Sequence, residues 1–107
     1  MVFIETELFT ETITALTNDE EYQELQNELL ENPEAGDIIK GTGGVRKIRF
    51  GYGGKGKRGG GRAIYYYKIV DSKIYMLLAY PKSEKDDLTQ KQKEVLKDLV
   101  KSELRKT

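Results

Sequence analysis

The chain contains no cysteine and no histidine. The first absence excludes disulfides, cysteine-ligated zinc and thiol nucleophiles. The second removes the commonest metal ligand and the commonest acid–base side chain near neutral pH. Any chemistry must therefore use lysine, arginine, tyrosine or carboxylates. Long apolar runs are missing too, and none approaches the roughly 20 residues of a membrane span. The opening Met1-Val2-Phe3-Ile4-Glu5 lacks the basic flank and apolar stretch of a signal peptide. The expected location is cytoplasmic, with no membrane partner. The length of 107 residues suits a single domain over residues 1–107, with a small core.

What the chain does have is segregated charge. The formal net charge is zero, yet residues 1–39 hold eleven acids and no base. Residues 40–69 hold nine bases and no acid, and residues 70–107 hold nine bases and seven acids. Solvated faces are the ordinary meaning of charge runs. A one-sign region repels itself, however, and persists where it steers a partner. The basic middle suits a phosphate backbone. The acids of residues 5–37 match no metal-binding loop and read as solvated helix faces that repel RNA from the back of the domain.

Hydrophobic spacing predicts the elements. Val2–Glu5 reads as a strand, and a threonine-rich helix is expected over residues 10–16. Thr17 or Asn18 caps the next helix, with Glu20 and Glu21 three residues beyond each. Its apolar face is Tyr22, Leu25, Leu29 and Leu30, and Asn32-Pro33 ends it. Val45, Ile48 and Phe50 among Arg46, Lys47 and Arg49 predict a strand with a basic face. Residues 62–70 and 73–80 are β-prone, joined by a tight turn at Asp71-Ser72. Thr89 and Gln92 form a capping box for a last helix with a buried stripe of Val95, Leu96, Leu99, Val100 and Leu104. This order predicts an α+β fold: a small twisted antiparallel sheet with N-terminal helices packed on one side and a C-terminal helix.

Between the basic strand and the next lie residues 51–61, a basic loop with seven glycines. Gly51, Gly53 and Gly56 satisfy a dinucleotide-binding spacing, and Gly51 to Arg58 nearly match a phosphate-binding loop. Both require a helix immediately afterwards, and a β-prone run follows instead. Arg58 also stands where the phosphate loop needs serine or threonine. A loop carrying Lys55, Lys57 and Arg58, with Arg62 just beyond, suits either a polyanion contact or a plain hairpin tip. Tyr65-Tyr66-Tyr67 and Tyr80 are candidates to stack on bases, although sheet tyrosines more often serve as core or rim.

Several segments together resemble HigB-type toxins of the RelE/ParE superfamily. They are Gly41-Thr42-Gly43-Gly44-Val45-Arg46-Lys47-Ile48-Arg49, Lys55-Gly56-Lys57-Arg58-Gly59-Gly60, and Arg62 with Ile64-Tyr65-Tyr66. Tyr80-Pro81-Lys82-Ser83-Glu84-Lys85-Asp86-Asp87-Leu88-Thr89, Asp19-Glu20-Glu21-Tyr22, Asn32-Pro33 and Gly36-Asp37 fit as well. The resemblance implies a RelE-like fold and a toxin of a type II toxin–antitoxin pair. Such a toxin cleaves mRNA in the ribosomal A site without metal or other cofactor. It implies a cognate antitoxin, a helix-turn-helix HigA-like protein, with operator DNA contacted only through that antitoxin. Lys47, Arg49 and Arg62 match positions of the RelE active site, and Lys82 and Lys85 fall in its last basic group; Lys57 joins Lys47, Arg49, Arg62 and Lys82 as a candidate catalytic residue. Arg46, Lys55, Arg58, Tyr66, Tyr80 and Lys85 would hold RNA or ribosome. The pattern departs from RelE in three ways: Arg49 stands where RelE has lysine, Leu88 or Thr89 replaces a tyrosine, and the lysine-rich loop is longer.

In such a site the RNA 2′-OH attacks the adjacent phosphate. Without histidine the base is lysine or tyrosine, because arginine stays protonated. Free lysine titrates near about 10.4, so a lysine base needs neighbouring cations in a partly dry site. Lys47 or Lys57 is the expected base, Arg49 and Arg62 the phosphate stabilisers, and Lys82 or Lys85 the aid to the leaving group. Two other readings compete: a ParE-type gyrase inhibitor, and a non-enzymatic RNA-binding module.

Overall fold

The computed structural model describes residues 1–85 and 87–105. Strand β1 (Val2–Glu5) leads into helix α1 (Glu7–Leu16). Thr6 caps α1: its Oγ1 accepts from Phe9 N at 3.0 Å and donates to Leu77 O at 2.8 Å. That double use starts the helix at Glu7, earlier than the expected Thr10, and ties it to the sheet. Helix α2 (Asp19–Glu31) opens with the capping box of Asn18 and Glu21. Strands β2 (Asp37–Ile38), β3 (Arg46–Phe50), β4 (Gly61–Lys68) and β5 (Lys73–Pro81) follow. Helix α3 (Gln90–Leu99), capped by Thr89 and Gln92, runs into a π-helical turn at Val100–Leu104. Among the described residues, no helix is long and apolar enough to cross a membrane.

The sheet order is β1-β5-β4-β3-β2. All pairs are antiparallel except β1 with β5, which is parallel. Strand β4 stops at Lys68 rather than at residue 70, because Ile69 and Val70 swing out, exposed, into a turn closed by Ser72 N on Ile69 O at 3.1 Å. Between β4 and β5 the register shifts from Ile64↔Leu78 to Tyr65↔Met76, which leaves Leu77 as the extra residue of a bulge.

Alternation along the strands divides the core in two. Ile48, Phe50, Ala63, Tyr65, Ile74 and Met76 pack with Phe9, Ile13, Leu25 and Leu29 of α1 and α2. On the other face Val45, Ile64, Leu77 and Tyr80 pack with Leu88, Leu96, Val100 and Leu104. Helices therefore cover both faces, the N-terminal pair on one and α3 on the other. Leu30 and Val95, expected in the buried stripes, are exposed.

One polar group is enclosed in the first core. Tyr65 is fully buried; its hydroxyl donates to Pro33 O at 2.8 Å and accepts from Gly36 N at 2.9 Å. Tyr65→Phe leaves both backbone groups without that partner. The expected loss is about 1–3 kcal/mol of unfolding free energy, read from urea melts.

Two tyrosines couple the fold to alkaline pH. Burial, together with the Glu5 carboxylate that accepts from the Tyr22 hydroxyl at 2.6 Å, holds that hydroxyl protonated well above the usual tyrosine range. Burial pushes Tyr65 in the same direction. The folded chain thus retains protons that the unfolded chain releases near pH 10. The stability these groups supply is complete below that pH and is lost as pH rises above it. In Tyr22→Phe the decline of the urea midpoint above about pH 10 should be shallower than in the wild type.

Candidate functional site

The cleft exists because β2 is short. It pairs with β3 only at Asp37↔Lys47 and Ile38↔Arg46, so the edge of β3 beyond Lys47 is left open. Helix α2 and the glycine-rich loop flank that edge. They enclose about 430 Å³, lined by Glu28, Ala35, Gly36, Asp37, Lys47, Ile48, Arg49, Lys57 and Arg62. Ile48 and Phe50 turn into the first core, and alternation sends Lys47 and Arg49 to the opposite positions. Arg49 sits directly across from Arg62 on β4. Like charges in that relation repel, and the two arginines resolve it by different exposure.

Arg49 is exposed, whereas Arg62 is only 2% exposed. The Arg62 guanidinium turns to the loop backbone: Nη1 donates to Lys57 O at 3.2 Å and Gly61 O at 3.0 Å, and Nη2 to Arg58 O at 3.2 Å. It therefore shapes the loop as well as adding charge to the cleft wall. Farther out, Tyr52 and Lys55 bridge across Gly53-Gly54, whose φ values of +58° and +79° suit glycine at the tip of a tight turn. Gly53 N donates to Glu21 Oε2 at 2.7 Å. The loop is thus braced from both α2 and β4.

The cleft cations meet carboxylates. Lys57 Nζ lies 2.9 Å from Glu28 Oε1, and Lys47 Nζ lies 3.6 Å from Asp87 Oδ1. Four cations (Lys47, Arg49, Lys57 and Arg62) line the walls with two carboxylates, Glu28 and Asp37. Among these lining side chains the cations outnumber the carboxylates, which suits a phosphodiester. Among the described residues, no group of three or more carboxylate, histidine or cysteine side chains is placed to hold a metal.

The other expected site residues lie elsewhere. Arg46 turns to the first-core side, donating to Glu34 O at 3.1 Å and Gly36 O at 2.7 Å, and pairs with the Glu34 carboxylate at 3.2 Å. Lys55 lies 5.1 Å from the Tyr52 ring centroid at the loop tip, and the Arg58 side chain is exposed. Tyr66 packs against the second core and Tyr80 is buried within it. Lys85 Nζ stands 5.0 Å from the Tyr80 ring centroid and donates to Gln92 Oε1 at 3.1 Å. The expectation of Tyr80 as a base-stacking platform is corrected by this packing, since the ring is spent on the core. Lys82 N donates to Gly60 O at 2.9 Å, and neither Lys82 nor Lys85 lines the cleft. Glu28 and Asp37 were not anticipated. Their place depends on how α2 and β2 dock, which no local spacing encodes.

Arg62→Ala should cost about 2–4 kcal/mol of stability, because it removes a buried side chain whose guanidinium donates to three carbonyls. Arg49→Ala, at an exposed position, should stay within about 0.5 kcal/mol. Urea unfolding of the two variants separates these outcomes. The structure therefore makes Arg49 the cleaner probe of chemistry.

Comparison with known proteins agrees with this architecture. A family model described as the RelE toxin of the RelE/RelB toxin–antitoxin system matches residues 23–107. The crystal structure of the isolated E. coli RelE toxin superposes with a TM-score of 0.59 at 17% identity, covering 92% of this chain and 97% of that one. A free-state arginine-to-alanine double mutant of E. coli RelE gives 0.57 at 14% identity, covering 78% and 85%. At these identities the likeness is one of fold.

Proposed function

This chain belongs to the RelE toxin family, the toxin half of a toxin–antitoxin system, and from that premise we propose a ribosome-dependent endonuclease that cuts mRNA in the cytoplasm. The observation that carries the reading is the convergence of Lys47, Arg49, Lys57 and Arg62 on one open cleft. Segments 41–49 and 55–66 support the HigB-type branch, with a HigA-like helix-turn-helix antitoxin that alone contacts operator DNA.

In this reading the mRNA backbone lies along the open edge of β3 in the ribosomal A site. The 2′-oxygen forms a bond to the adjacent phosphorus, and the bond from phosphorus to the 5′-oxygen breaks. The products are a 2′,3′-cyclic phosphate and a 5′-hydroxyl. A base must take the 2′ proton while donors hold the charge that builds on the phosphoryl oxygens. We assign the base to Lys47, whose side chain is 25% exposed against 63% for Lys57; water is more readily excluded from it. Arg49 reaches the phosphate directly. Arg62 supplies fixed charge from below and holds the loop that presents Lys57. Lys82 or Lys85, beyond β5, would return a proton to the leaving oxygen or grip the backbone.

The test is induced expression in bacteria with mapping of mRNA 5′ ends, wild type beside Arg49→Ala. New ends within translated regions, lost in a variant that still folds, are the expected result. Growth arrest with intact mRNA and a DNA-damage response would replace this reading with gyrase inhibition. Absence of arrest would leave a plain RNA-binding module.

A further inference from the structure

Among the described residues, Glu28 is the one carboxylate in the cleft wall with an ion pair to a cleft cation, its Oε1 lying 2.9 Å from Lys57 Nζ. Both side chains retain solvent contact, at 34% and 63% exposure. Two roles fit a carboxylate in that place. It could brace the loop so that Lys57 is presented correctly, or it could occupy Lys57 in the position a phosphate would take. The first role would make its removal weaken RNA binding, and the second would make its removal strengthen it.

The loop does not depend on Glu28 for its course. Arg62 already holds the Lys57 and Arg58 carbonyls, each at 3.2 Å, and Glu21 holds Gly53 N at 2.7 Å. With the backbone of residue 57 fixed from β4, the Glu28 contact governs only where the flexible lysine side chain points. An exposed ion pair of this kind is weak enough to exchange. A phosphate entering the cleft meets the carboxylate as a like charge and Lys57 as its counter-charge.

Resting on the RNA-cleft reading above, we infer that Glu28 is an internal stand-in for phosphate: it occupies Lys57 in the free protein, is exchanged for an RNA phosphate on binding, and so weakens the grip on RNA that approaches without the ribosome. Lys57 then contributes to binding only after the exchange. Glu28 is a specificity-determining residue in this scheme, acting through Lys57 without a part in bond breaking.

The experiment is fluorescence anisotropy with a labelled, 2′-O-methylated single-stranded RNA, which binds but cannot be cut. Wild type, Glu28→Gln, Lys57→Ala, the double variant and Arg49→Ala are compared between about 50 and 200 mM salt. Glutamine keeps the shape and helix propensity of glutamate, and unchanged melting curves confirm the fold. Glu28→Gln should bind about fivefold tighter at low salt, the scale of one exposed ion pair. Its log–log salt slope should steepen by about 0.7, one more phosphate neutralised. In the Lys57→Ala background the same change should have no effect. If Glu28→Gln binds equally or more weakly while Arg49→Ala loses affinity, Glu28 is only a brace and the inference is overturned. If Arg49→Ala also binds like wild type, the RNA-cleft reading fails first and takes this inference with it.

Discussion

The buried hydroxyl of Tyr65 determines where the cleft can be. The segment between α2 and β2 has no ladder to satisfy its backbone, and buried backbone groups need partners. Tyr65 provides them, bonding Pro33 O and Gly36 N at once. Gly36 is held so close that a Cβ there would lie 2.8 Å from Lys47 O and 2.9 Å from the Tyr65 ring. Arg46 adds two carbonyl bonds from below. Pinned in this way, the chain meets β3 for two residue pairs and then leaves. The uncovered remainder of β3 begins just past Lys47 and carries Arg49.

Charge segregation acquires a different meaning in three dimensions. The acidic first third does not simply form the back of the domain. Glu21, Glu28 and Glu34 reach the basic middle at Gly53 N, Lys57 and Arg46. Exposed pairs of this kind contribute only about 0–1 kcal/mol each, so they are weak terms in stability. Their effect is geometric: the Glu21 contact lays the loop against α2, Glu28 sets where the Lys57 side chain points, and Glu34 holds Arg46 beside the linker into β2. Arg49, exposed on the cleft wall, carries positive charge that can steer a polyanion.

Much of this was legible in the sequence where the signal is local. Both capping boxes, Asn18 with Glu21 and Thr89 with Gln92, form as their spacing implies. The opposition of Lys47 and Arg49 to Ile48 and Phe50 follows from a two-residue period. What the period cannot say is which layer covers each face. Tyr66 and Tyr80 alternate onto the face that α3 covers; Tyr80 is buried there, and Tyr66 packs half-buried against the same cluster. Arg46 looked like part of the basic strand face, yet its alternation places it beside the α2–β2 linker. The parallel placement of β1 was equally hidden, because a four-residue strand carries no mark of its partner's direction. Glu28 was invisible for the same reason: an acid on an amphipathic helix looks solvated until its neighbour is known.

The lack of histidine then joins the geometry to the proposed dependence on the ribosome. A lysine can act as a base only where water is sparse and positive charge is close. The positive charge is built into the cleft by the facing Arg49 and Arg62. Dryness is not, because the sheet edge forms the floor, α2 one wall and the loop another, and the remaining side is open. The Arg49 guanidinium, exposed at that opening, lies where an incoming strand would first meet the protein. A second macromolecule pressed over the strand would supply the missing wall and exclude water in the same step. A histidine would relax that requirement, since its ordinary titration range already lies near neutral pH. On this argument the dependence on a docking partner follows from which titratable side chains the chain has.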